Sequence, residues 1–353
     1  MWPSLGKKKG NYPYACARVK AKKSLLLTKD NYPKFMLMDL NEIGRFLGET
    51  QYKTEMSELA SRWDGVNLIE LGTSRNLARM YTEILGFTKG ELQDMIVSYL
   101  GRWDAWNIKT ILRGKYYGAS VEDIREDLVA AGRLKEDDLN ALMALGSIPE
   151  VLDALKRYDM SIPEEVRAAY DKEGTLSPLE DYLDRTYFEK LLQAVDPKRK
   201  PEQRFLSYVR REIDATNLMT LLRLKLEGLT ADKIVTYHIV GGEELNQKEF
   251  ARLAAVEGLE ALASELSKFS FYEHIKDSLE VMKQTKSMTE VSLAMKRYAQ
   301  KQAETFSHVY PLSVLPIIDY MIRKKNEVDN IRIIARGKES GLDAELIKRL
   351  LVI

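Results

Sequence analysis

The chain has 353 residues, 45% of them apolar and 30% charged, and its 54 Lys and Arg against 53 Asp and Glu leave a net charge of +1. That apolar content excludes a disordered chain, and the length is ample for two or three compact units. A charge so near zero does not suit a general nucleic-acid binder; it suits a protein whose partners are other proteins.

In chain order, the first segment is basic. Lys7, Lys8, Lys9, Arg18, Lys20, Lys22 and Lys23 occur before any acid. They read as a solvated leader running into a helix, with attraction to anionic lipid or to an acidic partner surface as the functional alternative. No apolar run there resembles a secretion signal, and no segment approaches the roughly 18 apolar residues that span a membrane. The lone cysteine, Cys16, excludes an intramolecular disulfide and fits a reducing compartment.

Further along, apolar residues three and four apart predict helices over VEDIREDLVAAG from Val121, PEVLDALKRY from Pro149, FARLAAVEGLEALASEL from Phe250 and LIKRLLVI from Leu346. Ser120, Ser161 and Thr230 are N-cap candidates, and Gly118, Gly132, Gly228 and Gly341 mark helix ends. The stretches 172–178 and 191–203, the latter with Pro197 and Pro201, read as surface loops. Alternating patterns are scarce, with 233–240 the one modest strand candidate. The fold class is therefore all-α.

Self-similarity organises the chain. DAWNIKTILRGKYYG ends at Gly118, DATNLMTLLRLKLEG at Gly228 and EVDNIRIIARGKESG at Gly341. Asn107, Asn217 and Asn330 align, as do Arg113, Arg223 and Arg336, and Lys115, Lys225 and Lys338. The two Asn-to-Asn spacings are nearly equal. Gly132 and Glu150 follow Asn107 at the same offsets at which Gly242 and Glu260 follow Asn217. The expected units are 1–118, 119–228 and 229–353, the last ending in a short tail beyond Gly341.

With steps of about 100° per residue from the Asn, apolar residues at offsets one, four and five form one stripe. The Asn lies at its edge, half-buried and hydrogen-bonded to a neighbouring helix or to its own backbone. The Lys returns to the stripe's end, where it snorkels or bonds the last helical carbonyls. The Arg points outward, toward a partner or an acid of the next unit. The plainer reading is that both cations complement the helix C-terminal dipole.

Catalytic motifs are absent. No P-loop and no G-x-G-x-x-G occurs, and the RGK tripeptides at Arg113 and Arg336 sit at helix C-termini, the wrong end to cradle phosphate. His238, His274 and His308 fit no zinc spacing. Glu136, Asp137, Asp138, Glu164 and Glu165 read as solvated first turns. Tyr182, Tyr187 and Phe188 read as core. No catalytic, cofactor-binding or metal-ligating residue is identified.

The opening YPYACARVKAKKSLLL, the segment MDLNEIGRFLGETQY and the three N-x(5)-R-x-K helices make the chain similar to the C subunits of archaeal and bacterial A/V-type ATP synthases, equivalent to the d subunits of eukaryotic vacuolar ATPases. The resemblance runs from about Tyr12 to the last residue. It implies a funnel-shaped all-α protein of three similar subdomains around a pseudo-threefold axis. It implies a non-catalytic, cofactor-free central-stalk subunit, peripheral on the cytoplasmic side of the membrane. Such a protein caps the membrane rotor ring, receives the end of the rotor shaft and carries torque between ion translocation and ATP chemistry. The leader Trp2-Pro3 to Lys9 and the run Arg323, Lys324, Lys325 depart from the family pattern. Two other readings stand beside this one: a helical-repeat adaptor that binds nucleic acid through its outward Arg residues, and an enzyme with a dispersed site.

Overall fold

The structure is a computed structural model that describes residues 8–353. Lys7 and the Trp2-Pro3 part of the basic leader lie outside the described residues. Helices are joined by short turns, with no strand among the described residues.

Two compact units divide the chain. The first takes the chain through Ala194 together with Lys324–Arg349. It holds the long helices Gly65–Phe87, Arg102–Tyr117 and Ser177–Gln193 and the shorter Asn31–Leu37, Lys53–Leu59 and Glu136–Met143. Its core gathers Ile108, Ile111 and Leu112 with Leu134, Leu142, Leu152 and Leu179. The second unit takes Val195–Arg323 and Leu350–Ile353. There Lys200–Leu226 and Thr289–Val309 frame Gln247–Ala255, Leu259–Leu266 and Tyr272–Thr285. Its core gathers Leu218, Leu221 and Leu222 with Leu245, Phe250, Leu253, Leu266 and Ile275. The helix Leu315–Glu339 contributes through Arg323 to the second unit and from Lys324 to the first.

The signature helices are Arg102–Tyr117, Lys200–Leu226 and Leu315–Glu339. In each the stripe at offsets one, four and five is buried, including Ile331, Ile334 and Ala335 in the third. Gly118, Gly228 and Gly341 take φ of 70°, 77° and 65°, the left-handed turn that ends a helix without a Cβ clash. A short helix follows each one: Val121–Glu126, Ala231–Val235 and Ala344–Leu350. Ile124, Ile234 and Ile347 are buried on them at matching positions.

Several expected elements are differently bounded. The helix from Val121 stops at Glu126, and 128–134 is irregular backbone. Gly132 therefore ends no helix. The helix around Phe250 breaks at Gly258, whose φ is +78°, giving two helices. Ser161 caps nothing, since Glu164–Glu173 begins after Pro163. The strand candidate 233–240 is the end of a helix and a turn. The loop 191–203 shrinks to 194–199, because Pro201 sits in the first turn of Lys200–Leu226, where the missing N–H is harmless. Tyr182 and Tyr187 are half-buried, whereas Phe188 is core.

Candidate functional site: the recurring helix

The tightest feature of the recurring helix is an acid three residues before the Asn. Asp104 accepts the backbone N–H groups of Arg133 and Leu134 at 3.0 and 2.9 Å. Asp214 accepts those of Glu243, Glu244 and Leu245 at 2.9, 2.9 and 2.8 Å. Burial pushes both carboxyls above the usual range, and the backbone donors pull back against it. The loop must come very close for these bonds. A Cβ on Gly132 or Gly242 would stand 2.1 Å from the Oδ1 of Asp104 or Asp214. Glycine is needed there for space, which explains why it recurs at the matching place in both copies.

The Asn performs a second clamp. Asn107 donates to the carbonyl of Val129 at 2.8 Å and accepts its N–H at 2.9 Å. Asn217 does the same to Ile239, at 2.8 and 2.9 Å. Both side chains are fully buried, and Asn330 is 2% exposed beside Tyr32, so the half-buried placement read from the helical wheel is corrected. An amide at this position satisfies both groups of one irregular residue, which a helix neighbour would not need. Tyr32 is pushed up to about 12, chiefly by burial.

The Lys ties down carbonyls. Lys115 donates to those of Met143, at 3.0 Å, and Leu145. Lys225 donates to Val256 and Lys338 to Met36, each at 2.8 Å. These carbonyls end other helices, not the Lys residues' own, and such ends lack internal partners. Burial lowers the Lys225 ammonium below its ordinary range.

The Arg residues diverge. Arg113 grips Glu180 with two bonds of 2.6 and 2.7 Å. Arg336 grips the buried Glu70, with Nη2 to Oε2 at 2.9 Å, and approaches Asp127 at 3.4 Å. Those carboxylates hold both guanidinium groups firmly charged, above the ordinary range. Arg223 is exposed and has no such partner among the described residues. Of the three, only Arg223 lacks an ion-pair partner among the described residues, and Arg113 and Arg336 are themselves 48% exposed.

The third copy adds a buried ionic network. Glu327 aligns with Asp104 and Asp214. It accepts the Leu27 N–H, Gln51 Nε2 at 3.0 Å, the Tyr52 hydroxyl at 2.6 Å and Lys324 Nζ at 2.8 Å. Lys324 is 0% exposed and lies 3.8 Å from the Tyr52 ring centroid. Burial brings its ammonium down to about 8, against the pull of Glu327. Nearby Glu55 would be raised by burial, but bonds from Arg79 and Asn76 hold it below the usual carboxylate range.

Asp104, Asp214 and Glu327 are the residues that sequence reading missed. The signal was present, since the acid recurs at one offset in DAWN, DATN and EVDN. The three histidines stay apart. His238 meets the Leu245 carbonyl and His308 the Glu304 carbonyl, each at 2.9 Å, and burial lowers His274 below its ordinary range. Among the described residues no group of acids, Cys and His is placed to hold a metal ion, and no helix is long and apolar enough to cross a membrane.

The family model described as ATP synthase (C/AC39) subunit matches residues 15–350. The A-type ATP synthase C subunit of Methanococcoides burtonii is 42% identical over 345 residues, covering 97% of this chain and 94% of that protein. The C subunit of the A-type ATP synthase of Methanosarcina acetivorans is 41% identical, covering 98% and 95%. That of Haloferax volcanii is 36% identical, covering 97% and 98%.

Proposed function

The chain belongs to the ATP synthase (C/AC39) subunit family, and from that premise we propose that it is a non-catalytic central-stalk subunit of a rotary A/V-type ATP synthase. It couples the rotor shaft to the membrane ion-translocating ring, from the cytoplasmic side and without spanning the membrane. Its three homologous helical units are 1–118, 119–228 and 229–353, the first two ending on their signature helices and the third on a short tail.

One observation carries the reading. The recurring acid and Asn hold irregular backbone, and the Lys holds helix-end carbonyls, against long helices, so the signature is architecture. Buried side chains that bond backbone resist shear between elements, as a torque-carrying part requires. The coupler needs two broad interfaces of mixed polarity, and a net charge of +1 agrees with that need.

The test is binding. The purified chain, mixed with the shaft subunits at moderate salt, is expected to co-elute with them and to show no ATP hydrolysis alone. Failure to form any complex with the shaft overturns the proposal.

A further inference from the structure

The loop held by the recurring acid changes sign between the first two copies. Arg133 in the first and Glu243 in the second both give their backbone N–H to that acid, at 3.0 and 2.9 Å, so they hold equivalent places. Six residues before the signature Asn stand Gly101 and Arg211, again at matching positions. In the second copy the two places close on each other. Arg211 donates to Glu243 at 3.1 Å and to Gln302 at 3.0 Å, with its guanidinium 5.3 Å from the Phe306 ring centroid. In the first copy the loop residue is the cation and the helix residue has no side chain. The Arg133 guanidinium is exposed, makes no hydrogen bond or ion pair among the described residues, and acts on Asp104 only through its charge.

Gly101 and Arg133 line a cavity of about 460 Å³, a volume within the range of small-molecule sites. Its apolar wall includes the buried Ile108, on the signature helix, with Ile162, Leu183 and Leu191. Its exposed charges are Arg133, Lys190 and Asp159. Lys190 gives one hydrogen bond, to the Asp159 carbonyl at 3.2 Å, and no ion pair among the described residues. Asp104 calls for no cation: it is 3% exposed, held by the N–H groups of Arg133 and Leu134, and stabilised by the charges of Arg133 and Lys135. Nor does the Tyr187 ring, since Arg102 lies 5.5 Å from its centroid and bonds its hydroxyl at 2.7 Å. Two cations against one acid remain on the open lining, so the unmet charge is positive.

We infer that this cavity binds a small organic monoanion, a carboxylate on an apolar chain. The carboxylate meets Arg133 and Lys190, and the guanidinium offers it the two-pronged grip that Arg113 gives Glu180. The chain leaves water for the wall of Ile108, Ile162, Leu183 and Leu191. The ligand thus supplies in the first copy the acid that Glu243 supplies in the second. The exposed Asp159 disfavours a second negative charge on it. The inference stands apart from the coupling role and does not depend on it.

The test is a calorimetric titration of the full chain with octanoate and, separately, with acetate and octylammonium. Arg133→Gln and Lys190→Gln each remove one cation. Ser98→Tyr keeps the charges and narrows the cavity, by analogy with Tyr208 at the matching position of the second copy. Near-UV circular dichroism reports whether each variant folds. The expected result is saturable octanoate binding, at least about tenfold tighter than that of acetate or octylammonium and weakened at least about tenfold in each folded variant. Absence of saturation up to about 10 mM, unchanged affinity in any folded variant, or equal or tighter binding of acetate or octylammonium overturns the proposal.

Discussion

Arg336 and Glu70 form a two-pronged ion pair between opposite ends of the sequence. Glu180 lies as far beyond Glu70 as Asn217 lies beyond Asn107, and Arg113 grips Glu180 in the same manner. The third signature helix thus finds in the N-terminal segment what the first finds in the residues that follow it. Lys338 repeats the pattern by bonding Met36, as Lys115 bonds Met143. The third copy is completed by the opening segment of the chain.

Removing Arg336 leaves Glu70, only 1% exposed, with Arg332 at 3.6 Å as its nearest cation. Arg336→Ala is expected to cost about 2–3 kcal/mol in urea unfolding, since a buried carboxylate loses its main partner. Arg223→Ala, on an exposed side chain, is expected to stay within about 0.5 kcal/mol. Equal losses would contradict the division between paired and free arginines.

Gly132→Ala and Gly242→Ala each drive a Cβ into a buried carboxylate. Each is expected to cost about 1–3 kcal/mol by thermal unfolding. Gly86, inside the Gly65–Phe87 helix, has nothing within 4 Å of a built Cβ, and Gly86→Ala is expected to add about 0.5–1 kcal/mol. A destabilising Gly86→Ala beside a neutral Gly132→Ala would reverse the assignment.

Asn107→Ala leaves the buried N–H and carbonyl of Val129 unpaired. The expected loss is about 2–4 kcal/mol. Hydrogen exchange gives a local readout: the Val129 amide is expected to lose protection while amides in the second unit keep theirs. Unchanged protection at Val129 would remove the clamp from the account.

Lys324 gives a pH signature. Its ammonium is depressed to about 8 from an ordinary 10.5, so between those values the unfolded chain holds more protons than the folded one. Stability of the wild type relative to Lys324→Met is therefore flat below about pH 8 and rises toward pH 10.5, on the order of 3 kcal/mol in all. Denaturant titrations of both proteins from pH 7 to 10.5 check this. A difference that falls over that window has the wrong sign for a depressed lysine.

Much of the architecture was legible because helical periodicity and αL glycines are local signals. The stripe residues from Ile108 to Ala335 follow directly from a 3.6-residue period. What periodicity hides is where an irregular loop returns. The 128–134 loop looks helical in VEDIREDLVAAG, yet Asp104 and Asn107 capture its backbone and Gly132 lets it approach. The wheel placed the Asn at the stripe's edge because it assumes that the neighbour is another helix. It also left the Arg residues outward, since Glu70 and Glu180 lie far off in sequence. The completion of the third copy by the N-terminal segment depends on contacts such as Lys338 to Met36, which no local pattern encodes.

The most direct test of the coupling role is reconstitution of the ATP synthase in vesicles with and without this chain. The account predicts that ATP hydrolysis drives ion uptake only when the chain is present, while the catalytic subunits hydrolyse ATP in either case. Full ATP-driven uptake by the assembly lacking the chain would contradict it.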